Sequence, residues 1–112
     1  MRILTLFLLA TLTLVAADVA GKYSGTVEIP AGVFQVTLTL EQKGDAVTGS
    51  IATQGDSYPV QNGKLSGNKL TFEVPSDQVY VVECIVESDR LAGDIKPSGG
   101  GSGKIDVKRS GS

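Results

Sequence analysis

The sequence predicts an all-β protein, an eight-stranded antiparallel up-and-down barrel. Three observations carry that reading. Apolar residues recur on every second position, turn signals fall about every ten residues, and one short module repeats. The module is a Gly, Asp or Asn turn followed by alternating apolar and polar residues. It occurs as Asp45-Ala46-Val47-Thr48-Gly49-Ser50-Ile51, as Gly67-Asn68-Lys69-Leu70-Thr71-Phe72-Glu73-Val74 and as Asp89-Arg90-Leu91-Ala92-Gly93-Asp94-Ile95.

Residues 1–17 stand apart from that pattern. Met1-Arg2 supplies a positive charge, residues 3–17 are apolar and Leu-rich, and Val15-Ala16-Ala17 precedes Asp18. This is the layout of a cleavable signal helix with small residues at the cleavage site. It is shorter than the roughly 20 residues a spanning helix needs. The expected product, residues 18–112, is a single barrel domain that is secreted or periplasmic and free of the membrane after cleavage.

The strands then follow in order, faces being assigned from the opposite directions of successive side chains. The first, Tyr23 to Ile29, turns Tyr23, Val27 and Ile29 inward and ends at Pro30-Ala31-Gly32. The second, Val33 to Gln42, sets Phe34, Val36, Leu38 and Leu40 against an outer face of Gln35, Thr37, Thr39 and Glu41. After Gly44-Asp45, the third runs from Ala46 to Thr53 with Val47 and Ile51 inward. Gly55-Asp56 leads into the fourth, Tyr58 to Leu65, where Val60 is inward and Asn62-Gly63 is a bulge or an extra turn. Gly67-Asn68 precedes the fifth, Lys69 to Val74, with Leu70, Phe72 and Val74 inward.

Pro75-Ser76-Asp77 opens the sixth strand, Gln78 to Glu87, which is apolar on both faces. Tyr80, Val82, Cys84 and Val86 form one side, and Val79, Val81 and Ile85 the other. The outward set is either a plain consequence of β propensity or an interaction stripe for a protein partner or a second copy. Ser88-Asp89 leads to the seventh strand, Arg90 to Lys96, with Leu91 and Ile95 inward. A longer flexible connection, Pro97 to Gly103, precedes the eighth, Lys104 to Arg109, with Ile105 and Val107 inward. Gly25, Gly49 and Gly93 share the inward phase, as expected where small barrels bend or backbones approach closely.

Two ends of this pattern carry a resemblance. Gly21-Lys22-Tyr23 opens the first strand, and Arg109 closes the last one in phase with Ile105 and Val107. The chain resembles lipocalin and avidin barrels (the calycin type), in which a Gly-x-Trp is covered by a basic side chain from the final strand. It also resembles small secreted bacterial lipocalin-like domains. The resemblance implies that Tyr23 stands in the tryptophan's place with Arg109 over its ring, as a barrel-closing pair. It further implies an interior that can hold a small apolar ligand, for which Phe34, Leu38, Tyr58, Phe72, Tyr80 and Val82 are the lining candidates, with Tyr58 and Tyr80 at the mouth.

Composition bounds the chemistry. There is no histidine, which removes the commonest general base and most zinc sites, and no Asp-x-Asp-x-Asp calcium loop. Cys84, the single cysteine, has no His to activate it and no partner for an internal disulfide, so it is a buried small hydrophobe or an intermolecular link. Glu83 and Glu87 share a face but lie about 13 Å apart along one strand, wider than the roughly 5 to 9.5 Å of glycosidase carboxyls. A cross-strand pair such as Glu83 with Asp94 stays open. The stretch Pro97-Ser98-Gly99-Gly100-Gly101-Ser102-Gly103-Lys104 fails as a phosphate loop, since Ser98 replaces the first Gly and Ile105 follows the Lys.

Without Arg2, nine basic residues face twelve acidic ones, scattered rather than clustered, which argues against nucleic acid. No enzyme, cofactor or metal site is expected. The favoured functional reading is a non-catalytic secreted barrel that acts as a binding or interaction module through Val79, Val81 and Ile85 or its loop ends. The alternatives are a lipocalin-like carrier of a small apolar ligand and a hydrolase inhibitor presenting a loop.

Overall fold

The computed structural model describes residues 18–110, and the segment read as a signal helix, residues 1–17, lies outside them. Eight strands follow one another: β1 (Gly21–Ile29), β2 (Gly32–Lys43), β3 (Ala46–Ala52), β4 (Ser57–Ser66), β5 (Lys69–Pro75), β6 (Val79–Glu87), β7 (Arg90–Pro97) and β8 (Gly103–Arg109). Each lies within two residues of its predicted span. Every strand pairs antiparallel with its chain neighbours, and β8 returns to pair with β1, so the sheet is a closed barrel. Closure leaves no unpaired edge to template aggregation.

Outside the second half of β4, the alternation predicted for the strands is the alternation observed over most of the core. Leu38, Leu40, Leu70, Phe72, Leu91, Ile105 and Val107 are buried, while their chain neighbours face water. No polar or charged residue is buried among the described residues. The core contains Tyr23 and Cys84 besides aliphatic side chains and Phe72.

Asn62-Gly63 is a bulge and not an extra turn. Asn62 adopts φ 55°, and the register of β4 slips between Gln61 and Lys64 against β5. One additional residue shifts the phase of the second half of the strand. Val60 faces inward ahead of the bulge and Leu65 after it, which is why Leu65 is buried although strict alternation from Val60 hides it.

Two glycines permit the strands to approach. A Cβ at Gly49 would run into the Thr39 carbonyl oxygen of β2, and one at Gly93 would meet the Glu83 carbonyl oxygen of β6. Gly93 also sits opposite Cys84 in the register, and its missing side chain lets the β6 backbone come close at that point.

The Pro97 to Gly103 connection is anchored at its first residues, not free along its whole length. Ser98 N–H donates to Val79 O at 2.8 Å, Val79 N–H donates to Ser98 Oγ at 3.1 Å, and Gly99 N–H donates to Gln78 Oε1. The loop is thereby tied to the start of β6.

Candidate functional site

Antiparallel winding places the β1–β2, β3–β4, β5–β6 and β7–β8 turns at one end of the barrel and both chain ends at the other. The two ends are built differently. At the chain-end side, Arg109 lies over the Tyr23 ring, its guanidinium carbon 5.0 Å from the centroid. Arg109 Nη1 donates to Ala20 O at 2.6 Å and Nη2 to Asp18 O at 3.1 Å. Tyr23 OH donates to Val19 O at 2.9 Å, and Val19 N–H donates to Gln42 Oε1 at 2.8 Å. Val19 itself is fully buried.

Residues 18–20 therefore cross the barrel end as a strap, with Val19 as its plug. Burial raises the Tyr23 phenol above its ordinary value despite the opposing Arg109 charge, so the hydroxyl stays a donor at neutral pH. The plug escaped the strand reading because Val19 precedes the first turn signal. Its phase with Tyr23, four residues on, is the signal that could have found it.

The opposite half of the barrel is hollow. A cavity of about 380 Å³ opens among the turns at that end. Its walls include Val27, Val36, Ile51, Val74, Val82 and Ile105, and its mouth carries Phe34, Tyr58 and Tyr80 beside Asp56, Ser76 and Asp77. The two halves differ in the side chains that occupy them. Phe72, Leu38, Leu70 and Tyr23 fill the strap end, whereas Val and Ile, with shorter reach, line the turn end.

Four of the six candidate lining residues, Phe34, Tyr58, Tyr80 and Val82, border the cavity. Leu38 and Phe72 do not. Both are fully or almost fully buried and belong to the filled half of the core. Alternation specifies which side of the sheet a residue faces but not its height along the barrel, so it does not separate these two from the lining residues. Phe34 is 40% exposed: inward in phase, it sits near the β1–β2 turn, where the interior meets water. Conversely, Val27, Ile51 and Ile105 read as simple core and are cavity wall.

Tyr80 is held by its neighbours. Its OH donates to Asp77 Oδ1 at 3.3 Å and accepts from Gln78 Nε2 at 3.4 Å, and Ser76 Oγ donates to the same Asp77 oxygen at 3.2 Å. A β5–β6 turn rich in polar residues thus orients the aromatic ring at the cavity mouth.

A second concavity, on the outer surface of β1 to β3, is larger at about 520 Å³. It is bordered by Ser24, Thr26, Gln35, Thr37, Thr53 and Gln54. Its polar lining offers little to an apolar ligand, because burying a hydroxyl or amide without a partner costs about 1–3 kcal/mol. The apolar interior cavity is the stronger site.

The outward residues of β6 form no continuous stripe. Val79, Val81 and Ile85 are 37–42% exposed, but Glu83 interrupts them and pairs with Lys69 at 2.8 Å. Glu83 and Asp94 are direct cross-strand partners on the outer face, and Asp94 pairs with Lys104 at 3.1 Å. Each carboxylate thus has an ammonium partner on the opposite strand, a ladder of charges on an open surface. Arg90 makes a two-pronged contact with Asp106, both distances 2.8 Å, and this hydrogen bonding holds the Asp106 carboxyl below its ordinary range.

Cys84 is fully buried, and desolvation, reinforced by Asp94 and Glu83, pushes its thiol up to about 12. A thiol in that state is neither a nucleophile nor a link to another chain without the sheet opening. Of its two readings, packing fits the geometry.

No group of three or more Cys, Asp or Glu side chains able to hold a metal ion occurs among the described residues. No family model matches the sequence, and neither a curated protein nor a solved structure matches it; the closed eight-stranded antiparallel barrel is compatible with a lipocalin-like fold.

Proposed function

We propose that this protein is a non-catalytic, lipocalin-like carrier that holds one small apolar molecule in the open half of its barrel. One observation carries the reading: an interior cavity of about 380 Å³ with aliphatic walls and three aromatic rings at its mouth. That volume lies at the low end of the roughly 300–1,000 Å³ typical of small-molecule sites, which favours a compact molecule over a long lipid or a peptide. Transfer of apolar surface from water into such walls is favourable by about 25 cal/mol per Å². The strap and the Tyr23–Arg109 pair close the far end, so the site has a single entrance.

This reading ranks the carrier above recognition through Val79, Val81 and Ile85. Those side chains are broken up by the Glu83–Lys69 pair, and an isolated exposed Val or Ile on a strand needs no partner to account for it. Export from the cytoplasm, proposed from the first 17 residues, fits a scavenger or carrier that meets its ligand outside the cell.

Native mass spectrometry of protein purified from its own host tests the proposal. A small molecule that co-purifies and is released on unfolding supports it. A clean apo mass, together with no uptake of apolar dyes, contradicts it.

A further inference from the structure

We infer that the cavity, on the reading that it is a ligand site, selects small lipophilic amines over acids of the same shape: an aromatic or aliphatic body inside, an ammonium at the mouth. The four turns at the open end cover residues 30–31, 53–56, 76–78 and 98–102, and their only charged residues are Asp56 and Asp77. Both border the cavity. The nearest cations in sequence, Lys96 and Lys104, lie in the outward phase of their strands, and Lys104 is paired with Asp94. An entering carboxylate therefore meets two like charges and no partner.

An entering ammonium meets two carboxylates together with Phe34, Tyr58 and Tyr80. Aromatic faces attract cations through their quadrupoles, and that attraction strengthens as water is excluded. Asp77 is already oriented, since its Oδ1 accepts from Tyr80 OH and Ser76 Oγ. Tyr80 thereby couples the charged rim to the aromatic mouth. The apolar walls below contain no group able to solvate a charge, so the head group of any amphiphile must stay at this rim.

The test is a calorimetric titration with three probes of one shape: 2-naphthylmethylammonium, 2-naphthylmethanol and 2-naphthoate. The ammonium is expected to bind about tenfold tighter than the alcohol, and the carboxylate about tenfold weaker. In the double variant Asp56→Asn, Asp77→Asn, where the amide oxygen at position 77 can still accept from Tyr80 OH, the ammonium loses its preference over the alcohol. Equal affinity of ammonium and alcohol for the unaltered protein overturns amine selection and leaves the carrier reading standing. An equal loss for both in the double variant overturns it too, since the carboxylates would then shape the mouth and not read charge. Failure of all three probes to bind removes the carrier reading itself.

Discussion

The guanidinium of Arg109 stacks on the ring of Tyr23 at 5.0 Å while the Tyr23 hydroxyl and two guanidinium nitrogens hydrogen-bond the backbone of residues 18–20. One residue from the first strand and its register partner on the last thus fix the same strap. Loss of Arg109 removes the stack, the two hydrogen bonds to the strap and the exposed Nε contact with Asp89 at 3.3 Å, so Arg109→Ala is expected to cost about 2 kcal/mol and lower Tm by roughly 10 °C. Tyr23→Phe, which keeps the stack and loses one hydrogen bond, is expected to cost about 1 kcal/mol. Thermal unfolding of both variants and their combination measures the coupling, and simple additivity would show that the two residues do not act together.

Gly93 and Gly44 separate close approach from turn conformation. Gly93→Ala drives a methyl into the Glu83 carbonyl oxygen and the Cys84 Cα of β6, which are backbone atoms with no flexible side chain to yield. A loss of about 3 kcal/mol or more, or failure to fold, is expected. Gly44 has φ 65° in the β2–β3 turn with open space around it, so Gly44→Ala is expected to cost about 1 kcal/mol from backbone conformation alone. Denaturant midpoints compare them, and equal losses would refute the steric role of Gly93.

Stability should fall on the alkaline side. The Cys84 thiol rises from an ordinary value near 9 to about 12 in the folded protein, so it keeps its proton after the unfolded chain has lost its own. Its contribution is complete below pH 9 and is lost as pH rises towards 12, on the order of 3–4 kcal/mol by the end of that window. The raised Tyr23 phenol acts in the same direction above pH 10. Cys84→Ala should flatten the curve of unfolding free energy between pH 9 and 12. An unchanged slope would mean that the thiol is not desolvated.

Phe72 and Phe34 lie at different heights in the barrel and should respond differently. Phe72 is 1% exposed in the filled half, and Phe72→Ala is expected to cost about 3–5 kcal/mol. Phe34, at the mouth, is expected to cost less than about 1 kcal/mol on the same change. Similar losses at both positions would deny the division of the barrel into a packed half and an open half.

Much of this was legible in the sequence, and the part that was not has a physical cause. Period two sorted inside from outside, and turn chemistry at Gly44, Gly55, Gly67 and Asp89 divided the chain into its strands. Both signals are local, and an up-and-down barrel is built from local pairings. Height along the barrel is not local. Val82, a wall of the cavity, and Leu38, part of the filled core, share a phase but differ in where the sheet's stagger sets them. The Asn62 bulge reversed the phase of β4 in mid-strand and concealed Leu65. Asp56 and Asp77 read as turn residues and nothing more, because only closure of the sheet brings the two turns to one mouth.

The open half of the barrel as a ligand site is tested most directly by adjacent residues on opposite faces of β6. Val82 borders the cavity and Val81 faces water. Titrating a neutral, polarity-sensitive naphthylamine dye into the unaltered protein, Val82→Phe and Val81→Lys reads both faces with one probe. Saturable binding that Val82→Phe abolishes and Val81→Lys leaves intact is the predicted result. Binding that survives the filled cavity, or that disappears with Val81→Lys while the fold is retained, would place the site on the outer surface and contradict the proposal.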